Sequence, residues 1–376
     1  FQNITGVCTY IFNTILLFYG WLPYAWDLSI TSTTYIISNY ISSGLSPLST
    51  EILTSLCFIF ITSNVETLFA LPFSLYSTFV IEQRHGFNKS TLALFFQDKI
   101  MGIALFIIIG FPIIGIMIWV IRLGGPYFYF YVWVFFFVVS IVMMILYPTL
   151  IAPLFNKYTK LEDGPVYTAI EELAKKVSFP LTQIYVVDGS RRSAHSNAYF
   201  YGFFKSKRIV LYDTLLTQVE LPELLAIVGH EIGHWKLWHT IEGFVISQFF
   251  VFSLFLVFSY VQNTPGLFID FGFKYSTETP MPVFIGLTLF LQVIWSPVEK
   301  FLTFFLNINS RRNEFAADAY SNQLGMGEAL CSGLIKISVE NLGNLIPDPL
   351  YSAYYFSHPP VVERIRAIQK NVKKEK

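Results

Sequence analysis

The chain has 376 residues, 54% hydrophobic, 18% aromatic and 13% charged, with a formal net charge of zero. Soluble domains carry about 25% charged residues, so a wholly soluble protein is excluded, and the zero net charge gives no electrostatic footprint for nucleic acid. Three scattered cysteines, Cys8, Cys57 and Cys331, exclude a disulfide framework or a CxxC site and leave histidine and carboxylate as the ligands for any metal.

In chain order, six apolar segments have the length to cross about 30 Å of hydrocarbon: 10–26, 52–76, 100–121, 127–147, 241–261 and 283–306. The first is short and holds Pro23; the last contains Pro297 and is interrupted by Glu299 and Lys300. Glu66, beside Asn64, sits within the second span, and an intramembrane carboxylate is expensive unless it faces a cavity or a partner. Phe and Tyr, 39 and 22 in number, suit lipid-facing surfaces and interfacial belts. The chain opens on Phe1, and a further N-terminal segment is expected upstream.

A polar stretch separates the fourth and fifth spans. Residues 163–177 have the pattern of an amphipathic helix. Residues 183–188 and 208–213 read as short strands, and 196–203 as a third, rich in aromatics. Residues 221–240 read as a helix with Pro222 in its first turn. After the sixth span, 310–324 continues as helix, and a soluble, partly helical tail begins at Ala329. These elements suggest transmembrane regions at 1–150 and 241–309 and soluble parts at 151–240 and 310–376. The Lys and Arg residues fall to one side of this topology. Arg84, Lys89 and Lys99 lie between spans two and three, ten lie between spans four and five, and ten lie from Lys300 onward, against one each, Arg122 and Lys274, after spans three and five. Positive residues favour the cytoplasmic side, which predicts a cytosolic soluble domain and C-terminus.

The chemistry centres on His230-Glu231-Ile232-Gly233-His234. Histidines four apart on a helix share a face, so both can reach one ion, and the intervening glutamate can reach a water beside it. This is the H-E-x-x-H logic of a zinc peptidase. Catalytic zinc usually takes three protein ligands. Glu314, on a second helix, is the candidate third, and Asp318, four residues on, can hold the far nitrogen of a ligating histidine. Two membrane crossings separate His234 from Glu314, which keeps them on one side. A solvated helical face is the alternative reading of Glu314 and Asp318. His239 is expected to lie off the metal face as a structural residue, and His85, His195 and His358 are loop histidines.

Longer runs carry a resemblance. HEIGHW at 230–235, SRRNEFAADAY at 310–320, HSNAYFYGFFKSKRIVLYDTLL at 195–216, YFSHPPVVERI at 355–365, LPFSLYSTFVIEQRHGFN at 71–88 and IAPLFNKYT at 151–159 resemble the CAAX prenyl protease type 1 family. Its members are integral-membrane zinc endopeptidases that process prenylated proteins such as a-factor and prelamin A. The resemblance implies a polytopic α-helical membrane protein enclosing a chamber, which Glu66 would line, with a small cytosolic α+β metalloprotease domain of gluzincin type. It implies seven transmembrane helices, the first lying before Phe1, and a loop ahead of the motif helix that is short here. It assigns His230, His234 and Glu314 to one zinc ion, Glu231 as the catalytic base, and His358 and Arg364 beside the scissile carbonyl. It further implies that Asn197, Ala198, Tyr199 and Phe200 form an edge strand that pairs with substrate backbone.

The expected activity is removal of the C-terminal tripeptide of prenylated CAAX proteins, with a second upstream cut as an extension. Two alternatives stay open: a broad-specificity quality-control peptidase, and a channel or scaffold with a structural zinc. The expected partners are prenylated substrates and the bilayer, without nucleic acid and as a monomer. The terminal lysines Lys373 and Lys374 resemble a dilysine retrieval signal, which points to the endoplasmic reticulum membrane and, by extension, the inner nuclear membrane.

Overall fold

A computed structural model describes residues 1–41, 44–202, 206–274 and 281–375. Part of the third strand candidate, at Phe203, and the last residue of the lysine tail lie outside the described residues. Among the described residues, five helical runs are long and apolar enough to cross a membrane: α3 (Pro47–Glu82), α4 (Leu92–Leu123), α5 (Gly125–Phe155), α8 (His239–Val261) and the run Val283–Glu340. A bent pair, α1 (Gln2–Phe18) and α2 (Trp21–Tyr40), makes six if counted as one span.

That pair corrects the first expected span. Residues 10–26 do not form one straight helix: the axis turns by 69° at Gly20, whose φ of 68° is left-handed. Glycine takes that conformation without steric cost, so the apolar run continues while the helix does not.

The described chain falls into two compact units. The first comprises Phe1–His85, Thr91–Ser140 and Gln248–Val298. It has a core of Leu22, Ala25, Phe58, Phe268, Ile285 and Leu289. Arg122 grips both oxygens of Glu51 at 2.8 and 2.9 Å and donates to the Met281 carbonyl at 2.7 Å.

The second unit comprises Gly86–Ser90, Ile141–Ser247 and Glu299–Lys376. Its sheet has the order β1-β2-β4-β3, with β1 at Tyr158–Lys160, β2 at Leu181–Val187, β3 at Ala198–Tyr201 and β4 at Lys207–Tyr212. β2 and β4 run parallel, and β1 and β3 are antiparallel to their neighbours. Among the described residues, β1 and β3 are therefore the two edge strands. Helix α6 (Pro165–Val177) buries Ile170, Leu173, Ala174 and Val177. Their i, i+3, i+4, i+7 spacing makes one apolar stripe, and each such aliphatic side chain contributes about 1.5–3 kcal/mol on burial. The stripe joins Ile184, Ile209 and Leu211 from the sheet, Leu224 and Val228 from α7 (Leu221–Lys236), Leu330 from α10 (Gly327–Glu340) and Ile368 from α12 (Val361–Glu375) in one core. The three expected strands and the amphipathic helix all form, within a residue or two of their expected bounds. The motif helix is shorter than expected: it stops at Lys236, and α8 restarts at His239.

Candidate active site and metal centre

Two helices of the second unit carry the site. α7 begins with Pro222 in its first turn, where the missing N–H costs no helical bond. The Glu223 carboxylate accepts the Glu220 N–H at 2.8 Å. It also takes Ser332 Oγ at 2.6 Å and Lys336 Nζ at 2.8 Å from α10. Burial alone would raise the Glu223 pKa, but these donors outweigh it and hold the group below the ordinary carboxylate range. α9 (Ser296–Ser321) lies against α7 at Gly233, where an added Cβ would stand 3.2 Å from the Ala317 Cα and carbonyl oxygen. The glycine within the motif is thus what lets α9 come close enough to reach its histidines. Ser321 Oγ, donating to the Ala226 carbonyl at 2.9 Å, ties the same two helices.

Three ligand residues converge there. His230 Nε2 and His234 Nε2 are 3.1 Å apart. Glu314 Oε1 is 3.2 Å from His234 Nε2, and Glu314 Oε2 is 3.5 Å from His230 Nε2. A tetrahedral ion about 2.0–2.1 Å from each donor would hold such donors about 3.3 Å apart, so the cluster has the dimensions of a metal site. Glu314 Oε2 is buried and makes no hydrogen bond of good geometry to the protein, which fits an oxygen meant for an ion. Among the described residues this is the one His/Cys/Asp/Glu group so disposed. Two imidazoles and a carboxylate suit zinc better than calcium or magnesium, which prefer oxygen donors.

A carboxylate stands behind the first ligand. Asp318 Oδ1 is 2.9 Å from His230 Nδ1, and Arg364 holds Asp318 with two bonds, at 2.8 and 2.6 Å. Arg364 Nη1 also lies 3.3 Å from Glu314 Oε2. The solvated-face reading of Glu314 and Asp318 is thereby removed: they are 5% and 1% exposed. Burial alone would lower the His230 pKa, but the hydrogen bonds it donates to the Asp318 and Glu314 carboxylates outweigh it and hold the group at about 9. Burial pushes the Glu231 carboxyl up, the direction expected of a group that must accept and return a proton near neutrality.

Glu231 and His234 line a cavity of about 550 Å³, together with Tyr199 and Phe200 of β3, Asn313 and Ser357. Within β3, Ala198 is buried, and Asn197 folds its side-chain oxygen onto the Ala198 N–H at 2.8 Å. The structure therefore brings the edge strand, the base and the ligand cluster to one cavity. His358 Nε2 is 3.4 Å from Glu314 Oε1, and its Nδ1 is 3.0 Å from Ser357 Oγ. Arg364, expected beside a scissile carbonyl, lies against the ligand cluster, with Nη2 3.4 Å from His230 Nδ1. It is buried, absent from the cavity lining, and committed to Asp318.

Sequence reasoning set His239 aside as a structural residue off the metal face; it stands outside the ligand cluster, but it is not a bystander. Its Nδ1 is 3.0 Å from His234 Nδ1. The cause is Trp238, a non-glycine residue at φ 64°, which ends one helix and re-aims the next. Ser357 was also missed; its place next to His358 was the available signal. His195 stacks on Phe87 with ring centroids 4.2 Å apart and its Nδ1 lies 3.0 Å from Asn341 Oδ1, away from the ligand cluster.

Comparison with known proteins gives a concordant picture. A family model described as CAAX prenyl protease N-terminal, five membrane helices, matches residues 1–157, and the peptidase family M48 model matches residues 160–372. CAAX prenyl protease 1 homologs from Arabidopsis thaliana and Homo sapiens are 47% and 40% identical to the chain. The alignments cover 100% and 98% of this chain and 85% and 83% of those proteins. The crystal structure of S. mikatae Ste24p superposes with a TM-score of 0.90 at 37% identity, over 97% of this chain and 85% of that one.

Proposed function

We propose a mechanism from one premise: the chain belongs to the CAAX prenyl protease type 1 family, a multi-pass membrane protein whose catalytic part is an M48 metallopeptidase. Its reaction is hydrolysis of a peptide bond in prenylated CAAX proteins, with release of the C-terminal tripeptide. His230, His234 and Glu314 would hold one zinc ion, which when bound would supply Lewis-acid chemistry that lowers the pKa of water and polarises a carbonyl.

The protein's own groups carry the remaining steps. The substrate backbone pairs with the free edge of β3 at Asn197–Phe200, which gives affinity with little side-chain selectivity. Glu231 takes a proton from the attacking water and later passes it to the leaving amine. Ser357 donates its hydroxyl proton to His358 Nδ1, so His358 keeps a proton on Nε2 and donates it to the developing oxyanion. Arg364 acts on Asp318, and through it fixes the orientation of His230. This arrangement favours a positioning role for Arg364 over direct contact with the scissile carbonyl.

The proposal extends to place and partners. The Lys and Arg bias supports a cytosol-facing site, the dilysine-like tail supports the endoplasmic reticulum membrane, and the proposed form is a monomer without nucleic acid. Membrane parts at 1–150 and 241–309 would then serve soluble parts at 151–240 and 310–376.

The observation that carries the proposal is the convergence of His230, His234 and Glu314, with donor separations of 3.1–3.5 Å, beside a cavity that Glu231 lines. The test is Glu231→Gln in the full chain, assayed on a farnesylated CAAX peptide and its unprenylated twin. The variant should keep zinc by elemental analysis and lose cleavage by at least about 100-fold, the usual contribution of a positioned acid–base group. Retained turnover would remove Glu231 from the mechanism. Equal cleavage of both peptides by the wild type would remove the lipid from the specificity.

A further inference from the structure

His234 has a requirement that the ligand cluster does not meet. Its Nε2 faces His230 and Glu314, so that nitrogen must present its lone pair to the ion. A neutral imidazole bound through Nε2 carries its proton on Nδ1, and ligating histidines almost always donate that proton to a partner. For His230 the partner is Asp318, at 2.9 Å. For His234 the group in place is a second imidazole, His239 Nδ1 at 3.0 Å.

The turn that delivers His239 is built at a cost. Trp238 adopts φ 64°, a left-handed conformation that is strained for a bulky residue. Its carbonyl then accepts the N–H groups of Ile241 and Glu242, both at 2.9 Å, which starts α8. One residue beyond His239 and two more along, Glu242 accepts Asn309 Nδ2 at 3.1 Å and Asn313 Nδ2 at 2.8 Å. Asn313 immediately precedes Glu314. The first turn of α8 is thus anchored both to a ligand histidine and to the helix that carries the third ligand. A packing residue would not need its ring nitrogen aimed at another.

We propose that His239 is a positioning residue for the metal centre: its Nδ1 accepts the Nδ1 proton of His234 and fixes the tautomer and ring orientation in which His234 Nε2 meets the ion. The two histidines are then supported unequally, one by a charged carboxylate and the other by a neutral imidazole.

The inference rests on the zinc reading above, and the test separates the two. The full chain and its His239→Asn and His239→Leu variants are purified in detergent, loaded with zinc and challenged with a chelator. Asparagine places an amide oxygen where His239 Nδ1 stands, whereas leucine fills space without an acceptor. His239→Leu should lose zinc about 10–100-fold faster, as removal of such supporting partners typically does, and His239→Asn should stay within a few-fold of wild type. Cobalt-loaded samples should show altered visible bands for His239→Leu and near-native bands for His239→Asn. Thermal unfolding of the metal-free proteins checks that both variants fold. Wild-type zinc retention in His239→Leu overturns the proposal, and so does equal loss in both variants. A wild-type chain that takes up no zinc would instead overturn the metal reading itself.

Discussion

The two units use their polar side chains in opposite ways. In the first, hydroxyls mostly bond backward within their own helix: Thr14 to the Tyr10 carbonyl, Ser29 to Ala25, Ser63 to Ile59, each four residues apart. In the second, the decisive bonds join residues far apart in the chain: Arg364 to Asp318 across 46 positions, Ser321 to Ala226 across 95, Lys336 to Glu223 across 113. The reason lies in the solvent. In hydrocarbon every polar group must be satisfied nearby, and a helix can do this alone. A catalytic cluster must collect groups from several helices and fix their mutual distances. The first unit has exceptions, among them the Glu51–Arg122 pair, 71 positions apart, and Gln248 to Ser140, 108 apart. The lesson is that polar substitutions in the second unit should cost more, and reach further, than matched ones in the first.

The largest expected effect tests that contrast at the metal site. Arg364→Ala leaves Asp318 and Glu314, both nearly inaccessible, without their shared cation. Removing one partner of a buried ion pair typically costs about 3–5 kcal/mol. Arg364→Lys keeps the charge but cannot hold both Asp318 oxygens, so it should recover part of the stability and less of the activity. Unfolding and peptide-cleavage measurements on both variants check this. A stability loss for Arg364→Ala below about 1 kcal/mol would show that the second unit's long-range network is decorative.

The next effect is a pH dependence at the α7–α10 joint. The Glu223 carboxyl has a folded-state pKa below its unfolded value. Its contribution is therefore fully present above the unfolded pKa of about 4.3 and is lost as pH falls through the lower, folded value. Hydrogen bonds to charged groups contribute about 1.5–3 kcal/mol. Glu223→Gln should be less stable than wild type by about that amount at pH 7, with the gap narrowing below about pH 4. A gap that stays constant to pH 3 would mean that the charge on Glu223 contributes nothing to the joint.

The same contrast explains what was legible in the sequence. The i, i+4 spacings of His230 with His234 and of Glu314 with Asp318 are local, and a helix converts them directly into shared faces. The β-rich runs were legible for the same reason. Sheet order, and with it the edge position of β3, depends on pairings across distant residues that alternation does not encode. The Arg364–Asp318 grip joins two residues from different helices; only the family resemblance placed Arg364 near the site, and it left the partner unnamed. His239 stayed hidden because its position depends on one backbone angle, φ of Trp238, at a residue type that gives no warning of it. Gly20 broke the first span in the same way, and there the glycine itself was the missed signal.

The smallest effect is the sharpest form of the comparison, because one residue type can be tested in both settings. Ser29 and Ser321 are both 0% exposed, and both donate to a backbone carbonyl that is also within a helix. Ser29 Oγ reaches Ala25, one turn back in α2, at 2.6 Å. Ser321 Oγ reaches Ala226 in another helix at 2.9 Å. Ser29→Ala removes one hydroxyl, but the Ala25 carbonyl keeps its helical partner, and alanine gains about 0.5 kcal/mol in helix propensity. The net change should lie within about 0.5 kcal/mol of zero. Ser321→Ala gains the same propensity term near the end of α9. It loses a bond that registers the ligand helix against the motif helix, a loss of about 0.5–1.5 kcal/mol that should also appear as faster zinc release. Thermal unfolding and chelator assays on the two alanine variants would compare them directly. If Ser29→Ala proves the costlier, hydroxyls in the first unit do more than satisfy their own helix, and the division between local and long-range bonding fails where it was drawn most cleanly.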